Sequence, residues 1–253
     1  LEIIVYDDES DVTKAVTAVD RLIKRDRAVA IVGPSTSGST LAIIPKVEEA
    51  KIPLVSCAAA KKIVDPVRRW VFKVAASDIL AVKKIFHDLK QRGLTRVAIL
   101  TASDAYGAGG REDIKELAPQ VGIALVADEV FGPKDTDMTA QLTRIKGTDA
   151  QAIITWGTNP GPAVVARNRA QLKVTIPLYM SHGVASKKFI ELAGEINTRM
   201  PRYVVDRIAE RHDLAVGQHE VEAALRRFDD NGARLVLAVI GHNRPYDRRI
   251  VAA

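Results

Sequence analysis

Short runs of apolar residues alternate along this chain with segments whose apolar positions recur every three or four residues. The runs fall at Glu2–Tyr6, Val29–Val32, Pro53–Ser56, Arg96–Leu100, Ala124–Val130, Ala152–Thr155 and Pro177–Met180. Near-continuous apolar runs of this length are the signature of strands covered on both faces. Between them, Val12, Val16, Val19 and Ile23 share one helix face, as do Ile79, Val82, Phe86 and Leu89, and again Met138, Leu142 and Ile145. Strand and helix in alternation predict an α/β architecture of parallel sheets flanked by helices. The stretch Asp65-Pro66-Val67-Arg68-Arg69-Trp70-Val71-Phe72 interrupts the alternation, and a new helix signal begins at Ser77-Asp78. A lobe boundary is therefore expected near Ala75–Ser77.

In parallel sheets, ligands gather at the carboxyl ends of the strands, so the residues just after each run are the ones to inspect. The most informative is Gly33-Pro34-Ser35-Thr36-Ser37-Gly38-Ser39-Thr40, between a strand and the amphipathic segment Leu41–Ala50. Unpaired N–H groups at a helix start carry partial positive charge, and Ser and Thr hydroxyls add donors for a carboxylate or phosphate. Without the Gly-Lys-Ser/Thr ending of a nucleotide loop, a carboxylate suits it better. A helix whose serines merely cap its own backbone is the other reading. Further clusters follow at Ser56–Ala60, Ser103-Asp104-Ala105-Tyr106-Gly107, Trp156-Gly157-Thr158-Asn159-Pro160 and Ser181-His182-Gly183. A cleft between two lobes lined by these hydroxyls, a Tyr and a Trp is expected to take a small organic acid.

Composition narrows the remaining classes. The 253 residues are 47% hydrophobic with a formal net charge of +6. The positive charges are dispersed among acidic ones, which argues against nucleic acid as a partner. No apolar run approaches the roughly 20 residues of a membrane span, and Leu1-Glu2-Ile3-Ile4 has no signal-segment character. The single Cys57 excludes an internal disulfide and a Cys-based metal site, and in Ser56-Cys57-Ala58-Ala59 it reads as a buried small residue. Neither a nucleophile elbow nor metal-ligand spacing of histidines is present, so no enzyme chemistry, metal or cofactor is expected. Asp7-Asp8-Glu9 has the look of a response-regulator acidic cluster, but Gly33-Pro34 stands where that family needs another Asp. The run reads instead as a solvated turn before a helix beginning near Asp11. A ligand-responsive repressor would need a DNA-binding helix-turn-helix, which is not seen.

With these residues in place, the chain from Leu1 to about Glu195 resembles the solute-binding proteins of ABC importers with the type I periplasmic fold, specifically the branched-chain amino-acid (Leu/Ile/Val) group. The resemblance is carried by Tyr6-Asp7-Asp8-Glu9-Ser10, the Gly33–Thr40 loop, Trp70-Val71-Phe72, Ser103–Gly107, and Ser181-His182-Gly183-Val184 with Phe189-Ile190-Glu191-Leu192-Ala193-Gly194. It implies two ligand-binding lobes, residues 1–75 and 76–195, closing on a small carboxylate ligand. It also implies an ABC permease as membrane partner, a monomer, and a periplasmic or other extracytoplasmic location. The family's carboxylate-binding hydroxyl falls on Ser37 and its backbone contact to the ligand head group on Ala58. Two positions on, a Thr or Ser of the family is Ala60 here. Tyr106 matches a ligand-facing tyrosine, and a second family aromatic aligns with Thr158 or Asn159, with Trp156 nearby. The acid that pairs with the ligand's α-ammonium in leucine-type members is here His182. Loss of that charge-assisted partner disfavours a buried ammonium, so an aromatic, branched or hydroxy acid is an alternative to an amino acid. A structural residue at a strand end is the other reading of His182.

Residues 196–253 differ in kind, holding ten Arg and no Lys where the preceding residues hold sixteen Lys and eleven Arg. Ile196–Ile208 and Asn231–Leu237 resemble, over short stretches, the C-terminal domain of nucleotide-sugar 6-dehydrogenases, without that family's catalytic Cys or glycine loop. Helices are expected at 201–211 and 221–228 and a strand at Arg234–Ile240. The solute-binding resemblance also implies a central strand ahead of Leu1 and further crossings at the other end. A first lobe without that strand would leave backbone edges unpaired, and marginal stability is expected.

Overall fold

The computed structural model describes residues 2–158 and 160–184 in full and residues 236–240 as backbone. The chain divides into two units, residues 1–75 with 217–253, and residues 76–216. The helices expected at 201–211 and 221–228, the Phe189–Gly194 motif and Asn159 lie outside the described residues.

In the first unit the order is β1 (Glu2–Tyr6), α1 (Val12–Lys24), β2 (Ala30–Val32), α2 (Ser37–Ala50), β3 (Leu54–Ser56) and β4 (Val71–Lys73). Asp11 starts α1 by accepting the Lys14 N–H at 2.9 Å, which satisfies one of the orphan donors of the first turn. The buried face of α1 is Ala15, Ala18, Val19 and Leu22, and Val12 lies on the solvent side. The expected valine stripe is thus turned part-way round the helix. Alanines at 15 and 18 let the backbone lie close to the sheet, so the stripe's larger members, Val16 and Ile23, pack only at its margin. The α1 and α2 faces close over Ile31, Leu54 and Val71, one from each of three strands.

Two local expectations are corrected here. β4 lies inside the stretch read as an interruption, its three residues ladder-paired with Leu54, Val55 and Ser56. A strand that short, preceded by Pro66 and Trp70, carries no period of its own. Asp8 is buried, not solvated, because its carboxylate turns in to accept the Ser10 N–H at 3.0 Å.

The second unit runs α3 (Asp78–Gln91), β5 (Arg96–Ala102), α4 (Ala105–Leu117), β6 (Ala124–Phe131), α5 (Thr139–Lys146), β7 (Ala152–Trp156), α6 (Gly161–Gln171) and β8 (Leu178–Met180). Its strands are all parallel in the order β6-β5-β7-β8. The two central strands are buried along their length beyond Arg96. Leu100, Phe131, Leu142, Ile145 and Ile153 form the core on one face, the two helical residues being members of the stripe expected at Met138, Leu142 and Ile145.

The largest departure from expectation is β9 (Val236–Ile240). It lies between β1 and β2, parallel to both, so that the first sheet reads β1-β9-β2-β3-β4. Ile3 pairs with Leu237 and Val5 with Val239 on one side, and Ile31 pairs with Ala238 on the other. The edges expected to stand open between β1 and β2 are therefore closed by the chain's own tail. A strand laddered on both sides tolerates no proline, which has no N–H to donate. Ala238→Pro is expected to accelerate amide hydrogen exchange in β1 and β2 by about tenfold or more, the effect of one or two lost hydrogen bonds. Exchange in β5 and β7 is expected to stay unchanged.

Candidate functional site

The carboxyl ends of the strands hold the groups of interest in each unit. In the first unit, β2 ends at Val32 and the chain turns through Gly33, whose φ of 99° suits glycine. Thr36 then caps α2, its Oγ1 accepting the Ser39 N–H at 3.4 Å. Ser37 is the first helical residue and is buried, and its Oγ accepts the Ala60 N–H at 3.3 Å. That bond leaves the Ser37 hydroxyl proton available for an acceptor. Ser39 Oγ is also buried and has no hydrogen-bond partner among the described residues.

Ser56 Oγ, at the end of β3, ties α2 to the turn that follows β3. It accepts the Ala58 N–H at 3.1 Å and shares a hydrogen bond with Thr40 Oγ1 at 2.9 Å. The Cys57 N–H donates to the Pro34 carbonyl at 3.1 Å. With its N–H turned inward, Cys57 stands exposed, contrary to the buried place expected of it. Lys73, at the end of β4, donates to the Ala59 carbonyl at 2.8 Å. Ala58 and Ala60 are both buried. The start of α2, the 58–60 turn and the Lys73 ammonium thus form one positively polarised corner. Anions are stabilised at helix starts by the same orphan N–H groups and dipole. Lys73 had escaped sequence reading because β4 itself had.

In the second unit, Tyr106, Trp156 and His182 come together. Tyr106 and Trp156 ring centroids are 6.2 Å apart, and His182 meets both edge-on, at 6.2 Å from Tyr106 and 6.1 Å from Trp156. Asp104 holds the start of α4 by accepting the Gly107 N–H at 2.7 Å, which places Tyr106 in the first turn. Trp156 is fully buried, and its indole lies against the bare Cα of Gly110 on α4. His182 is partly exposed, on a short turn after β8. Its Nε2 is 3.6 Å from Oδ1 of Asp78, a fully buried carboxylate in the first turn of α3. Thr158 is exposed just beyond β7.

Burial pushes the Tyr106 phenol well above its ordinary range, and the Asp78 and Asp104 carboxylates add to the rise. Ser181 and the Gly183 amide offset part of it, yet neither meets the phenol in hydrogen-bonding geometry, and Ser181 donates to the Gly157 carbonyl at 3.0 Å. Tyr106 is therefore a neutral donor over the whole physiological range. Asp78 joins this cluster without having been singled out in the sequence. Its only signal was Ser77-Asp78 at a helix start, which reads equally well as a cap. Among the described residues no group of His, Cys, Asp and Glu could hold a metal ion.

The profile of the periplasmic binding protein family matches residues 1–195. An amino acid binding protein of Pseudomonas aeruginosa is 23% identical over 209 residues, covering 81% of this chain and 54% of that protein. The Leu/Ile/Val-binding protein BraC3 of Rhizobium johnstonii is 25% identical over 188 residues, covering 72% and 50%. Among solved structures, the leucine binding protein LivK of Thermotoga maritima is similar with a TM-score of 0.73 at 28% identity, covering 77% of this chain and 56% of that one. The chain spans about half the length of these relatives.

Two substitutions probe the local geometry. Ser56→Ala strips the Ala58 N–H of its acceptor and Thr40 of its partner, and is expected to lower stability by about 1–3 kcal/mol in denaturant unfolding. Gly110→Ala would set a methyl 2.2 Å from the Trp156 ring, and the indole must move. A cost of about 1–3 kcal/mol is expected, with a change in tryptophan fluorescence.

Proposed function

Since the chain belongs to the periplasmic binding protein family, we propose that it captures a small carboxylate solute outside the cytoplasm and delivers it to an ABC permease. The observation that carries this reading is the corner at the start of α2. A buried Ser37 hydroxyl with a free proton, helix N–H groups and the neighbouring Lys73 ammonium converge on the kind of place where a carboxylate is stabilised. Ser37 anchors the carboxylate, and Ala58 and Ala60 keep side chains out of its way. Within the second unit Tyr106, Thr158 and His182 are candidate solute contacts in their own right, with Trp156 packed against Tyr106 and His182. The relatives named above carry amino acid, Leu/Ile/Val or leucine binding in their names. The solute class thus spans branched-chain and other amino acids, and aromatic or hydroxy acids.

No catalysis is required. Binding shifts the protein between conformations by as much as the solute prefers one of them, and the permease reads the result. A monomer suffices for that cycle. Calorimetric titration with such carboxylates tests the reading. Ser37→Ala is expected to weaken the tightest ligand by about tenfold or more, the worth of one hydrogen bond to a charged group. Unchanged affinity in that variant would remove Ser37 as the anchor.

A further inference from the structure

We infer that the segment 217–235 docks on the second face of the first unit's sheet, with the helix expected at 221–228 lying over β9, β2 and β3. The tail then completes the first unit twice, once as the strand between β1 and β2 and once as a layer on the sheet's other side.

That sheet has two apolar faces. Ile4, Ile31, Leu54 and Val71 belong to one, where α1 and α2 cover them. Side chains alternate along a strand, so their neighbours Val5, Val32, Val55 and Phe72 share the other. These four are in register from strand to strand, and position 239 of β9 completes a row across all five. Ile3 and Val74 extend the patch along the two edge strands, two residues from Val5 and Phe72. Both helices of the first unit and Ile63 of the turn Lys61–Ile63 pack on the first face. Among the described residues of that unit, no helix lies on the second. Val5, Phe72 and Val74 are 61%, 53% and 54% exposed, while Val32 and Val55, at the centre of the row, are half-buried. A contiguous apolar row of this extent marks a docking surface, unlike single apolar residues scattered over a surface.

Three observations select the occupant. Residues 217–253 group with residues 1–75 and not with the second unit. The stretch leading into β9 therefore belongs beside this sheet. Within it, Val221, Ala224, Leu225 and Phe228 recur at the spacing of one helix face, with Arg226 on the opposite side. Such a stripe needs an apolar surface to cover. Handedness then selects the face. From β1 through β2 and β3 to β4 the chain steps one way across the sheet, with α1 and α2 on one side. β9 is entered by a step in the opposite sense, and a right-handed crossover in that sense runs over the opposite face. A helix about 10 Å wide spans two to three strands set ~4.8 Å apart. It covers Val32 and Val55 and leaves Val5 and Phe72 at the rims exposed, which is the gradient of burial along the row.

A spin label on the whole chain tests the placement without disturbing the contact. In a Cys57→Ser background, a nitroxide on Arg226→Cys is expected to broaden the methyl resonances of Val32 and Val55 strongly. Leu22 and Val47, under α1 and α2 on the other side of the sheet, are expected to broaden far less. Leu225→Asp, which sets a charge on the apolar stripe, is expected to speed amide exchange at Val32 and Val55 by about tenfold or more, the worth of burying one such side chain, with β5 and β7 unchanged. Arg226→Asp is expected to change those rates by no more than about twofold. Broadening that favours Leu22 and Val47 or reaches neither pair would overturn the inference. So would equal exchange in the two aspartate variants, or a dimer in sedimentation that Val55→Asp dissociates, which would make a second copy the occupant.

Discussion

Everything in this protein depends on the pairing demand of a parallel sheet. A buried backbone N–H or C=O must find a partner, and a parallel strand finds its partners only in neighbours running the same way. Consequently all strands of a sheet finish at one edge, and the polar turns that follow them collect there. The start of α2 and the 58–60 turn are neighbours because β2 and β3 are paired in register. Tyr106 and Trp156 meet because β5 and β7 are. The same demand explains β9. β1 and β2 would each present an unpaired edge, and a strand far along the chain satisfies both.

On that frame, a few buried polar groups set the chemistry. Ser56 sits at the end of β3 and passes its position to Thr40 on one side and Ala58 on the other. Ser37 is tied to Ala60 by the same economy of buried donors. In the second unit the equivalent role falls to packing. Trp156 fills the space left by Gly110, and that indole supports the edges of Tyr106 and His182. The absence of a side chain at 110 thereby helps position the imidazole of His182 beside Asp78.

Much of the framework was legible in the chain. Apolar runs marked every strand from β1 to β8 except β4, and the helix faces at Val82, Phe86 and Leu89 and at Leu142 and Ile145 are buried as their spacing suggested. Legibility failed where meaning is non-local. β4 is three residues long and has no period. The strand at 236–240 was readable as a strand, yet nothing in its residues says that it enters between β1 and β2. Asp78 looks like any acidic residue opening a helix, and its pairing with His182 exists only after the sheet has folded. The Gly33–Thr40 loop lay at the other extreme, because hydroxyls and glycines at a strand-to-helix junction declare their chemistry locally.

The central claim is that the start of α2 and the 58–60 turn receive a carboxylate. Its most direct test is to follow backbone amide resonances while titrating a small acid and, separately, the matching uncharged amide. Saturable shifts at Ser37, Gly38 and Ser39 and at Ala58–Ala60 with the acid, and little response to the amide, are the expected result. Saturable binding of the acid that leaves those amides unmoved would contradict it.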